Sequence, residues 1–142
     1  MKFKTRLIAL LGLLAFSTAS FAQNNISSND LTGLPSSFFQ RWKLDYGEME
    51  GTRISGLPES PGNDYLFKTN GEYYLYDSNQ EYVIGYWKYN ASEKTIYTER
   101  NDGTHNSKII NITENSFTLV PSGKGVEGTM FENLRLYYII YY

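Results

Sequence analysis

From residue 38 to the C-terminus, apolar and polar side chains alternate in short runs separated by turn residues, and no helical periodicity is sustained there. Alternation with a period of two is typical of strands that bury one face. The predicted strands are Phe38 to Tyr46, a weak one at Thr52 to Gly56, Tyr65 to Lys68, Glu72 to Tyr76, Tyr82 to Tyr89, Thr95 to Arg100, His105 to Ile112, Phe117 to Val120, and a last region that breaks near Glu132-Asn133 and runs to Tyr142. Short strands joined by tight turns predict an all-β, antiparallel up-and-down meander of about eight strands, closed into a barrel or a half-open sandwich.

The strongest hairpin signal is Asn70-Gly71, and two registers are compatible with it. A two-residue turn places Phe67 opposite Tyr74, whereas a bulged three-residue turn with a left-handed Gly71 places Phe67 opposite Tyr73. The bulged turn separates apolar from charged side chains, so we expect that register. It gathers Tyr65, Phe67, Tyr73 and Leu75 on one face and Lys68, Glu72 and Tyr74 on the other.

A secretory signal peptide precedes the strands. Three cations within the first six residues are followed by an apolar run from Leu7 to Phe16 and by small residues at Ser20 and Ala22. The apolar run is shorter than the roughly 20 residues that span a bilayer. These features predict cleavage after Ala22, a signal peptide at 1–22, a flexible lead-in at 23–37 and one β domain at 38–142. They also predict export to the periplasm or the extracellular space.

Charge and residue inventory exclude several classes of function. The leader holds three of the 13 basic residues and none of the 15 acidic ones, so the mature chain carries a net charge of −5. An acidic chain argues against binding to nucleic acid or to anionic membranes. His105 is the only histidine and there is no cysteine, so we expect no metal site, no cofactor and no catalytic residue. Residues 123–128 spell G-x-G-x-x-G, but strand-like sequence follows, which favours a glycine-rich turn over a dinucleotide site.

Several sequence pieces carry a resemblance to a known family. They are Trp42-Lys43-Leu44, Phe67-Lys68-Thr69-Asn70-Gly71-Glu72-Tyr73, Gly85-Tyr86-Trp87-Lys88-Tyr89, Ile109 to Ile112 and Phe117-Thr118-Leu119. Together they resemble the lipocalin-like domains of small exported bacterial proteins over residues 38 to 120. One position departs, because the family's usual glycine two residues before the first tryptophan is Gln40 here. The resemblance implies a meander barrel and does not imply a particular ligand.

The aromatic residues predict where a ligand would bind. The chain has 13 tyrosines, whose apolar rings and polar tips suit the wall of a wet cavity as well as ordinary sheet packing. Gly85 shares a face with Trp87 and leaves room beside it. The same side chains could instead fill an eight-stranded barrel, and for Trp42 and Phe67 we expect a core role. The predicted ligand-binding residues are Tyr65, Phe67, Tyr73, Trp87 and Tyr89.

Three functions follow from these features. The first is an exported soluble protein that binds a small apolar or amphipathic ligand without catalysis. The second is an inhibitor or adaptor that binds another exported protein. The third is a small outer-membrane barrel, suggested by Leu134, Leu136, Tyr138, Ile140 and Tyr142, which alternate up to a terminal aromatic residue. Charged residues opposite the predicted core face favour the first two functions and argue against stable membrane insertion.

We expect the exported chain to begin at Gln23 or within a residue or two of it, because Ser20 and Ala22 satisfy the small-residue requirement of signal peptidase. Intact-mass spectrometry of the protein recovered from the cell envelope or the medium measures this directly. Recovery of mature protein that retains the leader would contradict export by this route.

Overall fold

A computed structural model describes residues 30–57, 64–77 and 80–142. The predicted signal peptide and residues 23–29 of the predicted lead-in lie outside the described residues. The described strands are β1 (Arg41–Met49), β2 (Thr52–Ile54), β3 (Asp64–Phe67), β4 (Glu72–Asp77), β5 (Gln80–Asn90), β6 (Thr95–Arg100), β7 (Ser107–Ile110), β8 (Ser116–Pro121) and β9 (Leu134–Ile140). Two 3₁₀ helices cover Ser36–Phe39 and Met130–Asn133.

The strands form an antiparallel meander that closes on itself. From β3 to β9, each strand pairs with the next one along the chain. β1 pairs with β9 from Trp42↔Ile140 to Met49↔Leu134, with a bulge between Leu44 and Tyr46. The other edge of β1 pairs with β3 at its beginning and with β2 at its end. Eight strands therefore form a closed barrel with β2 as an extra strand, which confirms the predicted all-β architecture.

The N-terminal boundary of the barrel differs from the prediction. Residues 36–39 form a 3₁₀ helix, so β1 begins at Arg41 and not at Phe38. Pro35 precedes this helix with a φ of −60°, and its carbonyl accepts a hydrogen bond from Phe38 N. The helix turns Phe38 into the barrel, where it is fully buried. Leu31 and Leu34, within the predicted flexible lead-in, also pack against the core.

β1 also extends further than the sequence predicted. Gly47-Glu48 does not end the strand, which continues to Met49. The chain turns instead at Glu50 and Gly51, which have φ values of 51° and 79°. Two consecutive left-handed residues form the tight type of turn that matches the twist of a hairpin, and Met49 then pairs with Thr52.

The central hairpin adopts the predicted bulged register. Phe67 pairs with Tyr73, and Gly71 is left-handed with a φ of 87°. Lys68 N donates to Glu72 O over 2.9 Å, and Gly71 N donates to Lys68 O over 3.1 Å. This register turns Phe67 and Tyr73 inward and leaves the Glu72 carboxylate to bond with Tyr74 on the outer surface.

Aromatic side chains fill one half of the barrel. The Phe38 and Phe67 ring centroids lie 4.6 Å apart, and those of Trp42 and Phe117 lie 4.8 Å apart. Trp42 Nε1 donates to Phe38 O over 2.9 Å, so the indole also anchors the 3₁₀ helix. The buried hydrophobic core consists of Phe38, Trp42, Phe67, Tyr73, Trp87, Tyr89, Ile96, Ile109, Phe117, Leu119, Tyr138 and Ile140.

We expect Trp42→Ala to lower the free energy of unfolding by about 3 to 5 kcal/mol, the usual cost of deleting a large buried aromatic side chain. Urea unfolding measures the change, and the emission of Trp87 remains as a probe. Tyr86→Ala is the matched control, because Tyr86 is 55% exposed on the outer surface. We expect Tyr86→Ala to change the free energy of unfolding by no more than about 0.5 kcal/mol. Equal effects of the two changes would show that Trp42 does not organise the core.

Candidate functional site: a cavity at one end of the barrel

The barrel is hollow at the end opposite Phe38. A cavity of about 820 Å³ lies there. It is bounded by inward-facing residues of the strands and by two loops, at 101–106 and 122–131. Most residues of these loops are exposed, so the cavity opens towards solvent between them. The lining residues used below are Tyr65, Phe67, Tyr73, Thr98, Arg100, His105, Ser107, Leu119, Lys124, Val126, Phe131, Leu134 and Leu136.

Three of the five predicted ligand-binding residues reach this cavity. Tyr65, Phe67 and Tyr73 lie on its wall, as expected from the hairpin register. Trp87 and Tyr89 do not line it. Trp87 packs against Phe38 and Phe39 in the filled half of the barrel. Trp87 Nε1 donates to the carbonyls of Lys68 and Glu72 over 2.9 and 3.1 Å, so its polar atom is committed to the hairpin backbone.

Sequence reasoning missed two lining residues of β6, Thr98 and Arg100. Both share the inward face of that strand with Ile96, while Tyr97 and Glu99 between them are exposed. Simple alternation from Ile96 identifies this face.

Hydroxyl groups along one wall are joined by hydrogen bonds. The Tyr73 hydroxyl bonds to Thr98, whose Oγ1 also bonds to Ser107 Oγ. The Tyr65 hydroxyl bonds to that of Tyr138. Burial raises the pKa of Tyr73 to about 12 and also raises the pKa of Tyr65, in each case as the largest effect. Both phenols are therefore protonated at neutral pH and can donate a hydrogen bond.

The opposite wall of the cavity is apolar. Leu119 of β8 and Leu136 of β9 face inward there, and Val126, Phe131 and Leu134 lie nearer the mouth. β8 and β9 lie across the barrel from β4 and β5 in the strand order. The cavity thus has one wall with phenols, hydroxyls and Arg100, and another wall of aliphatic and aromatic carbon.

Charged lining groups all have the same sign. Arg100 and Lys124 are cations that line the cavity, and within the described chain its lining contains no Asp or Glu. Asp102 lies on the loop at 101–106, where its Oδ1 accepts hydrogen bonds from Thr104 N and Thr104 Oγ1 over 2.8 and 2.7 Å. These bonds are the largest cause of the lowered pKa of Asp102. The charge of Arg100 lowers the pKa of Asp102 further. The Asp102 carboxylate, which is outside the lining, therefore offsets part of the positive charge that Arg100 and Lys124 bring to the cavity.

His105 and the glycine-rich segment both lie at the mouth of the cavity. His105 is exposed, and its Nδ1 lies 2.6 Å from Thr104 Oγ1. Residues 123–128 form a turn that leads into the short 3₁₀ helix at Met130–Asn133. Over the part of the chain that is described, no cluster of three or more His, Asp or Glu side chains is arranged to hold a metal ion.

Gly85 has a different role from the one its sequence position suggests. A Cβ at this position would lie 2.1 Å from Glu99 O and 2.6 Å from Tyr73 Cε1. The space beside Trp87 is therefore occupied by the neighbouring strand and by the Tyr73 ring, and is not free for a ligand. The missing side chain allows Tyr73 to lie across β5 with its hydroxyl directed at Thr98.

Searches against protein-family models, curated proteins and solved structures found no significant match. The resemblance to lipocalin-like domains therefore remains a hypothesis based on the sequence pieces and on the closed meander. None of the helices in the described ranges has the length and apolar character needed to cross a membrane.

We expect Gly85→Ala to destabilise the fold by about 1 to 3 kcal/mol, because a methyl group at this position overlaps backbone and an aromatic ring. Gly125→Ala is the matched control, since a Cβ there meets no atom within 4 Å. Thermal or urea unfolding of both variants measures the difference. If Gly85→Ala were as stable as Gly125→Ala, the close approach of Tyr73 to β5 would be incorrect.

Proposed function

We propose that this protein is an exported, non-catalytic binding protein of lipocalin-like type, whose barrel cavity holds a small amphipathic ligand. The observation that carries the proposal is the cavity with one polar and one apolar wall. Its volume of about 820 Å³ falls within the roughly 300 to 1,000 Å³ common for small-molecule sites. Apolar walls with a few fixed polar groups are the usual composition of such sites.

The division of the barrel into a filled and a hollow half supports the same function. The aromatic cluster around Phe38, Trp42 and Phe117 closes one end, so a ligand enters and leaves by the other. Because the filled half supplies a packed core, the hollow half can remain open without the whole fold depending on it. A preformed cavity of this kind reduces the ordering cost of binding a ligand.

Binding of another protein is the second candidate, and an exposed aromatic surface on β4, β5 and β6 favours it. Tyr86 and Tyr97 are 55% and 38% exposed there. However, the Tyr97 hydroxyl donates to Glu93, and Tyr74 similarly donates to Glu72 over 2.6 Å. Rings interleaved with carboxylates make a poor apolar patch, so the cavity is the better supported site.

Charges on the same outer surface bear on the outer-membrane alternative. Lys88, Glu99 and Lys108 are exposed on the faces of β5, β6 and β7 that point away from the core. A lipid-facing surface would have to accommodate them at an energetic cost. The outward charges therefore support a water-exposed barrel.

We expect the neutral dye Nile red to bind the mature protein with a rise in emission, and Leu119→Trp to weaken binding about tenfold or more by occupying the cavity. Fluorescence titration measures both affinities.

Val120→Trp is the matched control, because Val120 is the next residue of β8 and its side chain points to the other face. It should bind the dye as the unmodified protein does. Absence of dye binding, or equal loss in both variants, would refute the cavity as the binding site.

A further inference from the structure

We infer that the ligand carries an anionic head group, which Arg100 binds inside the cavity with the phenols of Tyr65 and Tyr73, while an apolar chain lies along Leu119 and Leu136. This inference rests on the proposed function, because it specifies the chemical class of ligand for the same cavity. An unbranched aliphatic acid is the simplest molecule of that class.

Arg100 is the central observation. It is half-buried, is the last residue of β6 and pairs with Gly85 of β5. The ion pairs within the described chain are Arg41–Asp64 and Lys68–Glu81, so Arg100 belongs to neither of them. A half-buried guanidinium in a cavity without lining carboxylates is complementary to an anion.

Tyr65 and Tyr73 add two hydrogen-bond donors to the same site. The Tyr73 ring and the Arg100 Cα both border Gly85, since a Cβ there would lie 2.6 Å from Tyr73 Cε1 and 2.9 Å from Arg100 Cα. The Tyr65 and Tyr73 ring centroids lie 6.0 Å apart, and all three residues line the cavity. Protonated phenols and a guanidinium all donate hydrogen bonds, and a carboxylate accepts several at once. Three such donors in the lining of one cavity are typical of a site that orients a charged head group.

A matched series of amphiphiles tests the inference. Dodecanoate, dodecanol and dodecylamine are titrated as competitors of Nile red bound to the mature protein, the two ionic compounds below their micelle concentrations and dodecanol below its solubility limit. We expect dodecanoate to compete about tenfold more strongly than dodecanol, the scale of a charge-assisted hydrogen bond, and dodecylamine to compete least.

Variants at Arg100 test whether this residue recognises the negative charge of the head group. Arg100→Met should weaken dodecanoate about ten- to a hundredfold and leave dodecanol within about twofold. Arg100→Lys, which keeps the charge, should retain a preference for dodecanoate. Lys108→Met is the matched control, because it removes an exposed cation from the outward face of β7.

The outcomes separate the two proposals. If Nile red does not bind, the cavity function fails. If Nile red binds but the three amphiphiles compete equally, or if Arg100→Met and Lys108→Met have the same effect, the head-group inference alone is overturned. The series on the unmodified protein decides the question even if Arg100→Met does not fold.

Discussion

Where the barrel closes, a partly buried ion pair between Arg41 and Asp64 joins β1 to β3. Asp64 is fully buried, and its Oδ2 accepts hydrogen bonds from Arg41 Nε and Nη2 over 2.9 and 2.7 Å. The guanidinium lies between the rings of Tyr76 and Tyr141, at 4.3 and 4.1 Å from their centroids. Within the described residues, β1 pairs with β3 only at Arg41↔Leu66 and Trp42↔Tyr65. Such a pair contributes little net stability, but a register that separated Asp64 from Arg41 would leave a fully buried carboxylate uncompensated, so the ion pair favours the observed register.

This closure determines how the interior is divided. Trp42 follows Arg41 directly and pairs with Tyr65 on one side and Ile140 on the other, so its indole enters the barrel where the two ends of the sheet meet. Phe38 and Phe117 pack against that indole and occupy the cross-section. Eight strands enclose only enough room for side chains, so bulky rings fill the half in which they cluster. The other half carries smaller groups at Thr98 and Ser107, and there a cavity remains.

Local patterns in the sequence predicted the strands, the Asn70-Gly71 register and the aromatic core, because alternation and turn chemistry act over a few residues. The 3₁₀ helix at Ser36–Phe39 was not predicted, because an alternating pattern also fits a segment that turns one ring into the end of a barrel. The position of an inward-facing side chain along the barrel axis could not be predicted from the sequence either. Trp87 and Tyr73 both face inward, yet only Tyr73 borders the cavity, and that distinction depends on packing between distant strands.

The tyrosines show how one residue type serves opposite surfaces. On the outside, the hydroxyls of Tyr74 and Tyr97 donate to the nearby carboxylates of Glu72 and Glu93, which satisfies them at the surface. On the inside, the Tyr73 hydroxyl instead bonds to Thr98, where Arg100 of the lining and Asp102 of the adjoining loop are the charges that act on it. Neutral hydroxyls and one cation leave the interior short of strong acceptors, whereas the exterior has them in excess. A molecule that brings an acceptor and an apolar chain would complement the interior, and the outer tyrosines would gain little from it.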